Sequence, residues 1–275
     1  MRKALLAILY FLATAVALAF LTLPLLAIFV HVPPSELIEQ LSNPVVTDAL
    51  IVSFKTTVIA QALVLLFGTP TAYLLATRRF PGRSLCITLV ELPLVLPPAV
   101  AGIGLLAAFG RAGLLGSSLR SAGIALPFTQ SAVVIAVVFV ASPLYVRNAI
   151  AAFEAIDSNL VAASRTLGAD SARTFFRVVL PLARGGLVAG AALAFARGLG
   201  EFGATIMFAG SLQKVTQTLP LAIYAEFEVD FDVTLAISAL LVLISAVLLI
   251  ALKLTSLWQP SEQISPSRFD RLRWS

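Results

Sequence analysis

Arg197 and Glu201 stand four residues apart inside the apolar run "GGLVAGAALAFARGLGEFGATIMFAG" (185–210). Charges in hydrocarbon are costly, and by default they mark a function. At this spacing the two side chains share a helix face and can pair. The pair reads in two ways. It can belong to a gate, or it can be a structural ion pair that holds helices together, since a paired acid is a poor ligand for an anion. Lys55, in "SFKTTVIAQ", is the other embedded cation. It can offer charge to an entering anion or snorkel to the surface. Thr56, Thr57 and Gln61 add donors nearby, or simply bond neighbouring backbone. A third feature is the basic, glycine-punctuated stretch "VAASRTLGADSARTFFRVVLPLARGG" (161–186).

These residues do not assemble into an enzyme. The chain has no G-x-x-x-x-G-K-[ST] to cradle ATP phosphates, no H-E-x-x-H and no G-x-S-x-G. Its acids and bases are too sparse for a catalytic set. His31 is the one histidine and makes no metal site, and Cys86 is the one cysteine, so no intrachain disulfide can form. We expect no catalytic residue, no metal and no bound cofactor. If the protein moves something uphill, the energy comes from a partner or from an ion gradient.

The elements that position these residues are membrane helices. Of the 275 residues only 12% are charged, about half the share of a soluble domain. Six apolar runs, near 4–30, 49–77, 84–109, 127–150, 185–209 and 233–257, are each long enough to span hydrocarbon as a helix. The ten-residue alternation of a β-barrel is absent. The first run is longer than a signal-peptide core, and no cleavage region follows it. The expected fold is an all-α membrane protein with six transmembrane helices, a membrane domain over 1–258 and a disordered polar tail over 259–275.

Positive charge sets the orientation. With the N-terminus inside, the outer segments hold only Arg111, Arg120 and Lys214. Both termini are therefore expected in the cytoplasm. The net charge of +5 is a topology signal. No basic patch interleaved with aromatics suggests nucleic acid. Pro93, Pro97 and Pro98 remove donors in the middle of the third run, which predicts a kink that either lines a cavity or only adjusts packing. The loop 210–232 turns acidic at Glu226, Glu228, Asp230 and Asp232. It is expected to hold a short re-entrant or surface helix, and its acids to dock an outside protein or simply face solvent.

The stretch at 157–183 is expected on the cytoplasmic face. Residues 160–167 can form a helix that Gly168 ends in the left-handed conformation. Asp170 or Ser171 can cap the next helix. Phe175, Phe176, Val178, Val179 and Leu180 offer an apolar face, and Pro181 is expected to stop the element before the membrane is re-entered near Gly185. An ordinary interfacial linker is the alternative reading.

The spacing of this stretch resembles the cytoplasmic loop of binding-protein-dependent ATP-binding-cassette importer permeases, whose consensus is E-A-A, three residues, Gly, nine residues, then Ile-x-Leu-Pro. Ala162, Ala163 and Ser164 stand at the E-A-A positions, Gly168 at the glycine, and Val178, Leu180 and Pro181 at the last motif. The glutamate is replaced by Ala162. "RGLGEFGATIMFAG" resembles the oxyanion permeases of that family, and "TQTLPLAIY" (216–224) and "LPLVLPPAVAGIGLL" are more similar to the molybdate branch.

The resemblance implies a type I importer permease fold and a coupling loop that includes Ala169, Asp170 and Phe175. A gate is expected near Gly200, Glu201, Phe202 and Gly203, and the residues themselves make Arg197, Pro97, Pro98 and Lys55 candidates along the pathway. Implied partners are two copies of a separate ATPase subunit that uses the ATP, a periplasmic or tethered oxyanion-binding protein, a second copy of the chain, and the lipid of the bacterial or archaeal cytoplasmic membrane. Molybdate or tungstate is the implied cargo. Sulfate or thiosulfate is the alternative, and an ion-coupled transporter or an intramembrane enzyme is a remote one.

Overall fold

The computed structural model describes residues 2–257, except the side chains of residues 2–5, 34, 36 and 252–257. The tail expected over 259–275 lies outside the described residues. Among the described residues every regular element is helical. A long first helix α1 (Arg2–His31) and a short α2 (Pro34–Gln40) lead into α3 (Pro44–Thr77). Asn43 starts α3 by accepting the Val45 N–H at 2.9 Å, and Pro44 follows at the first helical position, where its missing donor costs nothing.

The third apolar run is a correction to the expected kinked helix. It forms two helices, α4 (Arg83–Val95) and α5 (Pro98–Phe109), bent by 116°. Pro97 bars the helical region for Leu96, which sits at ψ 135°, and Pro98 extends Pro97 in turn, at ψ 134°. Pro93 stays inside α4. A short α6 (Gly116–Ser121) then precedes α7 (Gln130–Glu154), which is capped by Thr129.

The basic stretch folds as α8 (Ser158–Thr166) and α9 (Ser171–Thr174), and a π-helical turn at Phe175–Val179 joins α9 to α10 (Leu180–Leu199). Helix therefore runs unbroken from Ser171 to Leu199. Pro181 does not stop it, and the membrane helix does not start near Gly185. The reason is the π turn, in which the Leu180 N–H bonds the Phe175 carbonyl five residues back. The wider turn takes up the ring and the missing donor of Pro181. The fifth run also ends earlier than its composition suggests, because residues 200–202 are non-helical and α11 (Gly203–Ala209) starts anew. Then α12 (Leu219–Glu226) tucks back into the molecule, and α13 (Phe231–Leu257) completes the described chain.

Five helical stretches among the described residues are long and apolar enough to span a membrane, and α4 with α5 makes a sixth, broken one. The hub is α7, which packs along α3 and α10 and also touches α4, α5 and α11. Lys55, in the first half of α3, reaches Gln130 at the start of α7, and Arg83 at the start of α4 reaches Glu154 at its end. So α3 and α7 run the same way and α4 runs against them. Small residues let α10 close on α7. A Cβ on Gly190 would come within 2.8 Å of Asn148 Cβ, and one on Gly198 within 2.7 Å of Val137 Cγ1. Some buried polar atoms are tied off, as Thr69 and Tyr145 bond across α3 and α7 at 2.6 Å and Thr56 bonds the Val52 carbonyl at 2.7 Å, whereas Gln61 Nε2 and Thr205 Oγ1 find no partner among the described residues.

Candidate functional site

Two places in the fold gather the residues singled out above. The first lies where two helix breaks meet. The break between α10 and α11 presses on the break between α4 and α5, and a Cβ on Gly203 would fall 2.5 Å from Pro98 Cβ. Non-helical backbone at membrane depth survives only when it is buried in protein or faces a cavity. A cavity of about 130 Å³ lies at this junction, lined by Pro98, Leu96, Val140 and Arg197 among others.

Arg197 does pair with Glu201, Nη1 to Oε2 at 2.7 Å. Glu201 is almost fully buried, and its Oε1 accepts the Ala204 N–H at 2.7 Å. The carboxylate thus closes the last turn of α10 through Arg197 and caps the first turn of α11. Anions are favoured at a helix N-terminus, so one side chain joins both sides of the break. The Arg197 side chain keeps about a third of its surface exposed and lines the cavity.

Phe202 stacks against Tyr224 of α12, with ring centres 5.4 Å apart. A Cβ on Gly200 would meet nothing closer than the Ala196 carbonyl at 3.7 Å, and this residue is exposed. Arg197, Glu201, Gly203 and Pro98 are therefore brought together, with Pro97, Gly200 and Phe202 beside them. Lys55 is elsewhere: its Nζ donates to Gln130 Oε1 at 2.8 Å.

The second place is the α8–α9 hairpin at the end of the bundle. Asp157 caps α8 through the Asn159 N–H at 2.9 Å, and Asp170 caps α9 through the Arg173 N–H at 2.7 Å. Gly168 turns between them at φ +83°, a conformation costly for a residue with a Cβ. Ser164 and Thr174 hydroxyls bond at 3.0 Å and staple the two helices. Phe175 packs on Tyr73 and Phe153, at centroid distances of 4.8 and 6.4 Å, so the hairpin is clamped to α3 and α7 through an aromatic cluster. Leu180 is half-buried against the same region and Val178 is half-buried, whereas Ala162, Ala163, Pro181 and Phe176 are exposed.

Sequence reasoning overlooked three things here. Helix α8 has two faces: Ser158, Val161, Ala162 and Arg165 line a cavity against the bundle, while Leu160 and Leu167 point outward and Leu167 is 88% exposed. Ala162 thus lines the cavity edge while still exposed, and the outward surface is made by Leu160, Ala163 and, just past the helix, Leu167. The helical period of α8 could have shown this. Glu91 of α4 is a further embedded acid, 3.7 Å from Arg147 of α7, and its place in the third apolar run was the available signal. The acids after α12 also have a local use: Asp230 Oδ1 accepts the N–H groups of Asp232 and Val233, both at 3.1 Å, and caps α13.

Comparison with known proteins agrees with this architecture. The molybdenum transport system permease protein ModB of Mycobacterium tuberculosis (strain ATCC 25618 / H37Rv) is 42% identical over 240 residues, which cover 87% of this chain and 91% of that protein. The probable transport system permease protein NifC of Clostridium pasteurianum is 38% identical over 251 residues, covering 91% and 88%. Among solved structures, a bacterial ABC transporter involved in the import of the acidic polysaccharide alginate superposes with a TM-score of 0.68 at 15% identity, over 93% of this chain and 96% of that one. The fold is thus that of ABC importer permeases. Residues 68–257 match the family of binding-protein-dependent transport system inner membrane components, and the chain belongs to that family as a multi-pass membrane permease.

Proposed function

We propose that this chain is the membrane-spanning permease of an ATP-driven oxyanion importer, with molybdate or tungstate as cargo. The observation that carries the reading is the α8–α9 hairpin. It is a rigid element at one end of the bundle, stapled internally by Ser164 and Thr174, and continuous through the π turn with α10. An enzyme has no need of such a handle. In this reading the hairpin faces the cytoplasm, as the arginine distribution favours, and both termini lie on that side of the inner membrane.

The mechanism follows from the packing. The outward face of α8, with Leu160 and Leu167, seats in a groove of a separate ATPase subunit. Closure of an ATPase dimer moves the hairpin as a body, because the Tyr73–Phe153–Phe175 cluster and the cap at Asp170 leave it little play. The motion passes along α10, which is closely packed on α7, and reaches the break at residues 200–202. There the Arg197–Glu201 pair and the Gly203–Pro98 contact translate it into a change at the opposing break. Two packings of such an interface form a switch between closed and open pathways.

Two copies of the chain share the pathway, and selectivity rests mainly on an outside binding protein. Arg197 gives a passing anion a weak guide, since Glu201 holds most of its charge, and a tight site would slow release. The molybdate assignment rests on the similarity to permeases named for molybdenum transport. The test is reconstitution of the permease with its ATPase and binding protein in vesicles. Molybdate- or tungstate-loaded binding protein should stimulate ATP hydrolysis and anion uptake, and sulfate-loaded protein should not. Stimulation by sulfate alone would shift the assignment to the sulfate branch, and uptake without any ATPase subunit would overturn the reading.

A further inference from the structure

Behind the hairpin lies an open cavity of about 760 Å³, between α8 and the ends of α3, α4 and α7. Arg78, Arg79, Arg83 and Arg165 all line it, against the single carboxylate of Glu154. That carboxylate is already taken: Arg83 Nη2 meets Glu154 Oε1 at 2.7 Å, and Arg83 Nε bonds the Leu75 carbonyl at 2.6 Å. Three exposed arginines, Arg78, Arg79 and Arg165, therefore line one space, and none of them has an ion-pair partner among the described residues. Arginine is suited to phosphate because its planar donors bind two oxygens at once.

Tyr73, Ala76, Ile156 and Val161, all partly exposed, add apolar surface to the lining, with the buried Phe153 and Val179 behind them. A small inorganic anion has no use for such a surface and leaves most of the volume empty. The cavity also sits where α3 and α7 end and α4 begins, the end of the bundle that the arginine distribution assigns to the cytoplasmic side. Basic pockets between transmembrane helices at a membrane face take anionic headgroups.

We propose that this cavity binds the phosphate headgroup of an anionic membrane lipid. The phosphate lies among Arg78, Arg79 and Arg165, and the glycerol and first acyl carbons lie on Tyr73, Ile156 and Val161. The lipid braces α8 from behind, on the face opposite Leu160 and Leu167. The effect on coupling rests on the role proposed above for the hairpin, but the binding itself does not.

The test uses the full chain purified with its ATPase partner, delipidated, and read by the phospholipid it retains in native mass spectrometry. Phosphatidylglycerol should be retained, phosphatidylcholine should not, and excess inorganic phosphate should not displace the lipid. Arg79→Gln and Arg165→Gln should each weaken retention about fivefold. Ala162→Glu should displace the lipid by placing a carboxylate among the arginines, while the melting temperature holds. Arg111→Gln, at the opposite end of the bundle, should change nothing. Equal retention of both lipids, or unchanged retention in all three cavity variants, would overturn the proposal. Binding of inorganic phosphate without the lipid would overturn it too. Lipid binding that holds while Leu167→Asp still transports would leave this site standing and count against the coupling role of α8.

Discussion

Glu201 answers most clearly to single substitutions, because each of its oxygens has a separate partner. Glu201→Gln keeps an acceptor for the Ala204 N–H and removes the charge opposite Arg197. Breaking a buried pair from one side costs roughly 3–5 kcal/mol, and the partial exposure of Arg197 reduces that. The melting temperature of the purified protein should therefore fall by several degrees. Adding Arg197→Met should recover part of the loss, since removing both charges leaves no uncompensated ion. Unchanged melting with lost transport would make the pair a gate element with no structural share. Gly168 gives a second prediction. A Cβ there meets nothing within 4 Å, so strain at φ +83° is the main penalty, about 1–2 kcal/mol for an ordinary residue. Gly168→Asn should keep ATP-driven uptake in vesicles and Gly168→Val should impair it, with both proteins still inserting in the membrane. Equal uptake by the two would show that the turn's conformation is irrelevant to coupling.

At the scale of elements, the π turn at Phe175–Val179 is where hairpin and membrane helix are phased. Deleting Val178 should convert the wide turn to an α-helical one and rotate the hairpin by about 100° about the axis of α10, one residue's step. The expected result is a complex that still assembles with its ATPase but hydrolyses ATP without taking up anion. Normal uptake would mean that the phase of the hairpin does not matter. This turn also shows what the sequence could reveal. Glycine, aspartate and their spacing gave the hairpin, since caps and left-handed turns are local. Pro181 read as a terminator because its local effect is unambiguous, yet the turn before it absorbs the misfit. The breaks at Leu96–Pro97 and at residues 200–202 differ in the same way. Paired prolines announce a kink, though not a break with a 116° bend, while Gly200-Glu201-Phe202 sits in an apolar run and carries the Glu201 cap at its break. Pairing at spacing four was readable, but the contact of one break with the other was not, since no local pattern brings Gly203 to Pro98.

For the whole molecule, the question is what a single chain leaves unfinished. Its long helices carry many exposed leucines and phenylalanines, as a lipid-facing surface must. Polar backbone is another matter. Gly200 is exposed, and it lies in the non-helical segment between α10 and α11. Irregular backbone of this kind faces protein or water and not lipid. A second copy that shares a water-filled pathway at this point would meet that requirement. In a Cys86→Ser background, Gly200→Cys should therefore form crosslinks between two copies, and their yield should change between the nucleotide-free complex and one trapped with ATP. A cysteine in place of Leu12, on the exposed face of α1, should give no crosslink in either state and serves as the lipid-facing control. If Gly200→Cys fails to crosslink in both states while its transport stays intact, the pathway does not run between copies at this break. The open space beside Arg197 would then have to be filled from within one chain.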